Sequence, residues 1–396
     1  MAREYKDSGI EWIGQIPKEW KMTRGKFLFS VLNGYAFDSS LFTNDTNMMP
    51  LIRIRDINSS ETEAYYMGEY PSDYIVHKDD VLVGMDGDFN VAKWKGNDAL
   101  LNQRVCKLKE FSETYISQYA YYILPMLLKN KNDVTYATTV KHLSSNDILN
   151  FDFIVPSLSE QQKIADYLDK VCGEVDEMVA LQETMVEELK AYKQSAITEA
   201  VTKGLNPNAP MRNSGIDWIG AIPEHWILSK AKFFVDITNG CDPKTEGNIP
   251  VYGSGASSFK TCGEYKEGPT VLIGRKGATL HIPHYIEGKY WNVDTAFDVK
   301  VKNGFDLRYY YYTAICFDYK YYISQTTLPG MAQSSYNNMI IPVPSIEEQC
   351  SIASYLDTKC SEIDSLIALK LAKIEELKEY KKSVIYEYVT GKKEVC

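Results

Sequence analysis

No apolar run in the chain approaches the roughly eighteen residues that span a bilayer. The opening stretch, Met1-Ala2-Arg3-Glu4-Tyr5-Lys6-Asp7, has no apolar centre of the kind a signal peptide carries. Both absences lead us to expect a cytoplasmic protein. Histidine is scarce: His77, His142, His225, His281 and His284 are all there are. His281 and His284 offer two metal ligands at best, and Pro283 beside them marks a turn or strand edge. None of the eight cysteines forms a Cys-x-x-Cys pair, so reduced and mostly buried thiols are expected instead of a zinc site. A Gly-x-x-x-x-Gly-Lys-Ser/Thr phosphate cradle is missing, and so is a Gly-x-Ser-x-Gly nucleophile elbow. The Asn/Asp-Pro-Pro-aromatic motif of a DNA methyltransferase is missing too, its nearest string being Asn206-Pro207-Asn208. We expect neither an enzyme nor a cofactor of its own.

What the chain does have is acid and repetition. Its formal net charge is −10, which taken whole argues against nucleic acid. The charge is unevenly placed, however. Residues 160–200 carry ten Asp/Glu against four Lys/Arg, and residues 348–388 carry eight against six. These two stretches hold most of the excess, and the remainder is near neutral.

The same two stretches belong to an internal repeat. Ser8-Gly9-Ile10-Glu11-Trp12-Ile13-Gly14-Gln15-Ile16-Pro17 returns as Ser214-Gly215-Ile216-Asp217-Trp218-Ile219-Gly220-Ala221-Ile222-Pro223, an offset of 206. Trp20 and Trp226, Lys26 and Lys232, and Asn33-Gly34 and Asn239-Gly240 keep that offset. Further on, Pro156-Ser157-Leu158-Ser159-Glu160-Gln161 returns as Pro344-Ser345-Ile346-Glu347-Glu348-Gln349 at an offset of 188. Between the matched parts, residues 35–150 and 241–340 share almost nothing. A frame kept twice around unlike inserts points to two related modules with different ligands.

Residues 160–203 carry large or apolar side chains at Ile164, Leu168, Val171, Val175, Met178, Met185, Leu189, Tyr192 and Ala196, a heptad seam. Ser159 with Gln162 offers a capping box, and Gly204 ends the helix. The second copy repeats the seam at Ile352, Leu356, Ile363, Leu366, Leu377, Tyr380 and Val384, interrupted by lysines and filled by Ile367, Leu371 and Ile374, and it ends at Gly391. Each helix is about forty residues, or roughly 60 Å. An antiparallel pair follows most simply.

The inserts read as strand-rich. Val81-Leu82-Val83-Gly84 runs into the acidic loop Met85–Asp88, and Val271-Leu272-Ile273-Gly274 runs into the basic loop Arg275-Lys276-Gly277. Leu101-Asn102-Gln103-Arg104-Val105 sets an amide and an arginine beside a strand. Polar loops at Thr138–Ser144 and Gln325–Ser335 precede the two Pro-Ser junctions. Clustered tyrosines, Tyr115, Tyr119, Tyr121 and Tyr122, then Tyr309 to Tyr312, fit helices facing a core.

These motifs resemble one family. The Ile-Glu/Asp-Trp-Ile-Gly-x-Ile-Pro openings, the junctions Val155–Gln161 and Val343–Gln349, and the loop Ile273–Gly277 are similar to those of specificity subunits of Type I restriction–modification systems. That resemblance implies an α+β chain: two globular mixed α/β target-recognition domains separated by two long conserved helices that form an antiparallel coiled coil, a pseudo-twofold repeat. The domains fall at 1–155 and 207–343, with helix and linker at 156–206 and helix at 344–396. It also implies that each domain reads half of a bipartite asymmetric site in double-stranded DNA. The helices set the gap and dock two DNA methyltransferase subunits, with restriction/translocase subunits added for cleavage. S-adenosylmethionine, ATP and Mg are then expected on the partner subunits. Candidate DNA contacts are Met85, Asp86, Asp88, Asn90, Gln103, Arg104, Lys141 and His142 in the first domain, and Arg275, Lys276, Thr279, Gln333 and Ser334 in the second. Cation and amide side chains of this kind bind phosphates or base edges, and carboxylates accept from cytosine. The alternative reading is a protein–protein scaffold with a coiled-coil spacer and no DNA.

Overall fold

A computed structural model describes residues 3–134, 142–255, 257–302, 304–323 and 329–395. Seven helices are present among them: α1 Ser117–Val134, α2 Ser145–Asn150, α3 Leu158–Lys203, α4 Leu307–Ile315, α5 Tyr319–Tyr322, α6 Gln333–Asn338 and α7 Ile346–Val389. No helix is long and apolar enough to cross a membrane. The chain divides into two compact units: residues 1–181 with 374–396, and residues 182–373. Each unit therefore takes one part of α3 and one part of α7.

In the first unit a four-stranded antiparallel sheet runs in the order Val91–Lys93, Val81–Gly84, Val105–Lys109, Ser30–Asn33. Beside it in sequence, a five-stranded sheet joins Met49–Ile52 in parallel to Ala99–Leu101. The second unit has the matching four-stranded sheet, Val235–Asn239, Ala296–Val301, Thr270–Gly274, His284–Ile286, and a sheet with one parallel pairing, Ile249–Tyr252 with Lys289–Asn292. The central strands Val81–Gly84 and Thr270–Gly274 are buried along their whole length, as expected of unbroken apolar runs.

The repeated residues do the same work in both units. Trp20 and Trp226 are each 1% exposed, and their indole N–H groups donate to Glu160 Oε1 (3.2 Å) and Glu348 Oε1 (3.3 Å). Gln161 and Gln349, each fully buried, tie the helix start to the preceding domain. Their Oε1 atoms accept from the backbone of Ile116 (3.1 Å) and Asp306 (2.9 Å), and their Nε2 groups donate to the carbonyls of Pro156 and Pro344. Asp169 takes Lys93 (2.8 Å) and the Tyr122 hydroxyl, and Asp357 takes Arg308 (2.6 Å) and the Tyr312 hydroxyl (2.6 Å). Gly34 and Gly240 lie where the chain presses on a neighbouring loop. A Cβ there would sit 2.0 Å from the Asn102 carbonyl oxygen and 2.2 Å from that of Val293.

The two long helices pair antiparallel. In the first unit Asp176 meets Lys381 (2.7 Å) while Tyr167, earlier in α3, lies tilted against Tyr388, later in α7 (4.5 Å between centroids). In the second unit Lys193 meets Asp364 (2.6 Å), the same pair at the 188 offset with its partners exchanged.

Two expectations need correction. Ser157, not Ser159, caps α3: its hydroxyl accepts from the Glu160 backbone while the Glu160 carboxylate accepts from Ser157. Ser345 and Glu348 do likewise. The box is set by the residue where extended backbone turns helical, one residue after the proline, so its Glu is the one that also meets the tryptophan. Nor is the seam a strict heptad. Met178 and Tyr192 are 44% and 51% exposed, whereas Cys172, Val186 and Ile197 are buried. The buried position slips from 185 to 186 and from 196 to 197, the drift of a helix whose 3.6-residue turn does not divide seven. Leu366, Leu371 and Tyr380 of α7 are likewise exposed.

Two outcomes follow. Gly240→Ala should destabilise the protein by about 2 kcal/mol or more, because the Val293 backbone must give way. Gly173→Ala, in α3 with nothing within 4 Å of the added methyl, should stabilise it by about 0.5–1 kcal/mol. Opposite shifts of the calorimetric melting temperature check the pair. Burial of Glu160 alone would raise its pKa, yet hydrogen bonds from Trp20, Arg3 and Ser157 outweigh it and hold the carboxyl below its usual 4.5. A depressed folded pKa contributes stability that is complete above about pH 4.5 and is lost as pH falls through the lower folded value. Glu160→Gln should thus melt lower than wild type at pH 6, and the difference should shrink under acid.

Candidate nucleic-acid interface

Three loops meet at one end of the four-stranded sheet in each unit, pinned by matching backbone hydrogen bonds. In the first unit the Met85 amide donates to the Arg104 carbonyl (3.0 Å), and the Leu143 amide donates to the Met85 carbonyl (2.8 Å). In the second, the Arg275 amide donates to Thr295 (2.8 Å), and the Met331 amide donates to Arg275 (2.9 Å). Isolated bridges Asp86–His142 and Lys276–Gly330 complete the correspondence. Leu143 and Met331 are buried anchors at 0% and 2% exposure. The frame therefore superposes Met85 on Arg275, Asp86 on Lys276, Arg104 on Thr295 and His142 on Gly330.

On that shared backbone the side chains differ, with opposite charge at the position Asp86 shares with Lys276. In the first unit Asp86 lies between two donors: its Oδ1 is 2.8 Å from His142 Nδ1, and its Oδ2 is 3.2 Å from Arg104 Nη1. The carboxylate is a quarter exposed, while Arg104 and His142 are more than half exposed. In the second unit Arg275 donates to the Asp294 carbonyl (3.3 Å) and leans over the Phe297 ring, and Lys276 lies 4.0 Å from the Asp294 carboxylate.

Other residues singled out in the sequence fall in several places. Asp88, Asn90 and Gln103 are exposed on the first loop cluster, and the Asn90 carbonyl takes the Gly84 amide. Thr279 is half-buried in the turn after Lys276, and Ser334 is exposed in the first turn of α6. Lys141 lies outside the described residues. Met85 is only 6% exposed and packs in the core, so its backbone, not its side chain, serves the cluster. Gln333 spends its amide N–H on the Ile237 carbonyl, bracing α6 against the sheet. Asp86, read as a free acceptor, has both oxygens engaged. Asp294 and Thr295 escaped notice. They stand between strands as Gln103 and Arg104 do, but neither repeat offset reaches them.

The family model for the Type I restriction modification DNA specificity domain matches residues 17–191 and 230–379, most of the chain. The chain belongs to this family. It is 38% identical to the EcoBI specificity subunit of Escherichia coli over 201 residues, which are 51% of this chain and 42% of that protein. Against the MjaVIII specificity subunit of Methanocaldococcus jannaschii it is 23% identical over 350 residues, 80% of each chain. In fold, it is similar (TM-score 0.71, 16% identity, 94% of this chain and 98% of the other) to a structure described as the basis of complex assembly and conformational transition of the type I R-M system. The family, the fold and the paired helices agree with the expectation drawn from the sequence. The reading as a DNA-free scaffold finds no support.

Proposed function

We propose that this chain is the DNA sequence-specificity subunit of a Type I restriction–modification complex, that each unit reads one half of a bipartite asymmetric site, and that it performs no catalytic step. The observation that carries the reading is one loop frame, held twice by matching backbone hydrogen bonds, bearing Asp86, Arg104 and His142 in one unit and Lys276, Thr295 and Gly330 in the other. Had drift alone acted, the frame would have loosened with the side chains. A frame kept while its exposed residues change is what two readers of different words require.

In this reading Arg104, aimed by Asp86, donates to a guanine edge or a phosphate, and His142 supplies a second donor beside it. Arg275 and Lys276 do so in the second unit, with Asp88, Asn90, Gln103, Thr279 and Ser334 at the rims. Asp86 itself acts as a brace. The paired helices set the gap between half-sites and dock two methyltransferase subunits, to which restriction/translocase subunits add. S-adenosylmethionine, ATP and Mg belong to those partners, and the work is done in the cytoplasm. The acid on the helices faces protein, and the partners supply much of the phosphate contact, which accounts for DNA binding by a chain of net charge −10.

The test is a domain exchange. With the methyltransferase subunit present, replacing residues 21–155 by those of another family member should change one half of the methylated motif and leave the other half and the gap untouched. A change in both halves, or in neither, contradicts the model. A finer outcome concerns single residues. Arg104→Ala should weaken discrimination at one position of the first half by about 1–3 kcal/mol. Lys276→Ala should act on the second half alone, both being read as methylation rates on oligonucleotide libraries.

A further inference from the structure

Phe27 and Phe233 are the same residue of the repeat, and they are 65% and 62% exposed. Each closes a single 3-10 turn, Gly25–Phe27 and Ala231–Phe233, whose first residue is buried and whose phenylalanine points away from the core. Lys26 lies over the first ring at 5.1 Å and Lys232 over the second at 5.3 Å. The first residues of the long helices are exposed too, Leu158 at 45% and Ile346 at 38%. In the first unit Phe27, Met22, Pro156 and Leu158 line one groove of about 580 Å³.

A phenylalanine this exposed contributes little to folding, and singly exposed apolar residues are ordinary. Repetition is what sets this one apart. Residues 35–150 and 241–340 have diverged almost beyond recognition. Yet this Lys-Phe knob and its neighbouring aliphatic residue survive in both copies, on the repeated frame and outside the stretches of sequence that differ. Contact with DNA does not explain that, since the two half-sites differ and an aromatic-aliphatic patch suits a dry protein interface better than phosphate. Something that presents the same surface to both units does explain it. We propose that Phe27 and Phe233 are equivalent anchors for two copies of one partner, the methyltransferase subunit. Each ring enters an apolar pocket on that subunit, with acidic residues at the pocket rim to receive Lys26 or Lys232. The assignment rests on the function proposed above and adds the anchors and the pocket chemistry.

The experiment uses the full chain with its methyltransferase subunit, and complexes are counted by native mass spectrometry. The wild-type chain should carry two subunits. Phe27→Ala and Phe233→Ala should each weaken one site by about tenfold or more, leaving mainly one-to-one complexes where wild type gives two-to-one. The double variant should lose both subunits. Phe27→Leu should keep part of the affinity, and the melting temperatures should stay at the wild-type value, since neither ring is buried. Unchanged two-to-one assembly of the double variant overturns the anchors and leaves the proposed function standing. Loss of a restriction subunit or of DNA, with methyltransferase binding intact, overturns the choice of partner. A wild-type chain that binds no methyltransferase subunit overturns the anchors and the function together.

Discussion

Each compact unit depends on helix segments from two places in the chain. The first unit is residues 1–181, but the last turns of α7, from Ile374 onward, belong to it. The fully buried Tyr119 gives its hydroxyl to the Val389 carbonyl (2.9 Å), and Tyr309 makes the matching bond to Val201 (3.2 Å). The apolar residues between the helices supply most of the driving force. Ion pairs such as Asp176–Lys381 and Lys193–Asp364, exposed in part, are worth at most about 1 kcal/mol each. Their value lies in register: the reciprocal arrangement exists in only one alignment of α3 with α7.

From that pairing the rest of the architecture follows in order. The capping boxes at Ser157 and Ser345 place Glu160 and Glu348 under the buried tryptophans, and the buried glutamines carry the helix starts into the sheets. The sheets present three loops apiece, and the same two backbone hydrogen bonds recur in both sets. Met85, Leu143 and Met331 face inward and Gln333 braces a helix, while the exposed side chains on those loops bear little folding duty. These exposed side chains are therefore free to differ between the units, as Asp86 and Lys276 do at one matched position, and a specificity subunit needs just that freedom.

Much of this was legible in the residues. Two offsets marked the frame, apolar spacing marked the helices, and strand-then-glycine patterns marked the loops that face outward. The details that stayed hidden depend on pairing across long separations. Asp86 cannot be known to be engaged until Arg104 and His142, eighteen and fifty-six residues further on, are brought beside it. Thr295 shares its place with Arg104 through a backbone bond alone, which no side-chain pattern records. The slip of the seam from Met185 to Val186 needs the true helical pitch, not the idealised seven. Exposure also had to come from the structure: a phenylalanine in sequence looks like core, and Phe27 is not.

The measurement that bears most directly on the account is the wild-type methylome, obtained by sequencing modified adenines in a host that expresses this chain with its methyltransferase subunit. Two unlike half-sites separated by a gap of constant length are predicted. A continuous or palindromic motif, or half-sites that are identical, would contradict two units with unlike loops that each read a half-site of their own.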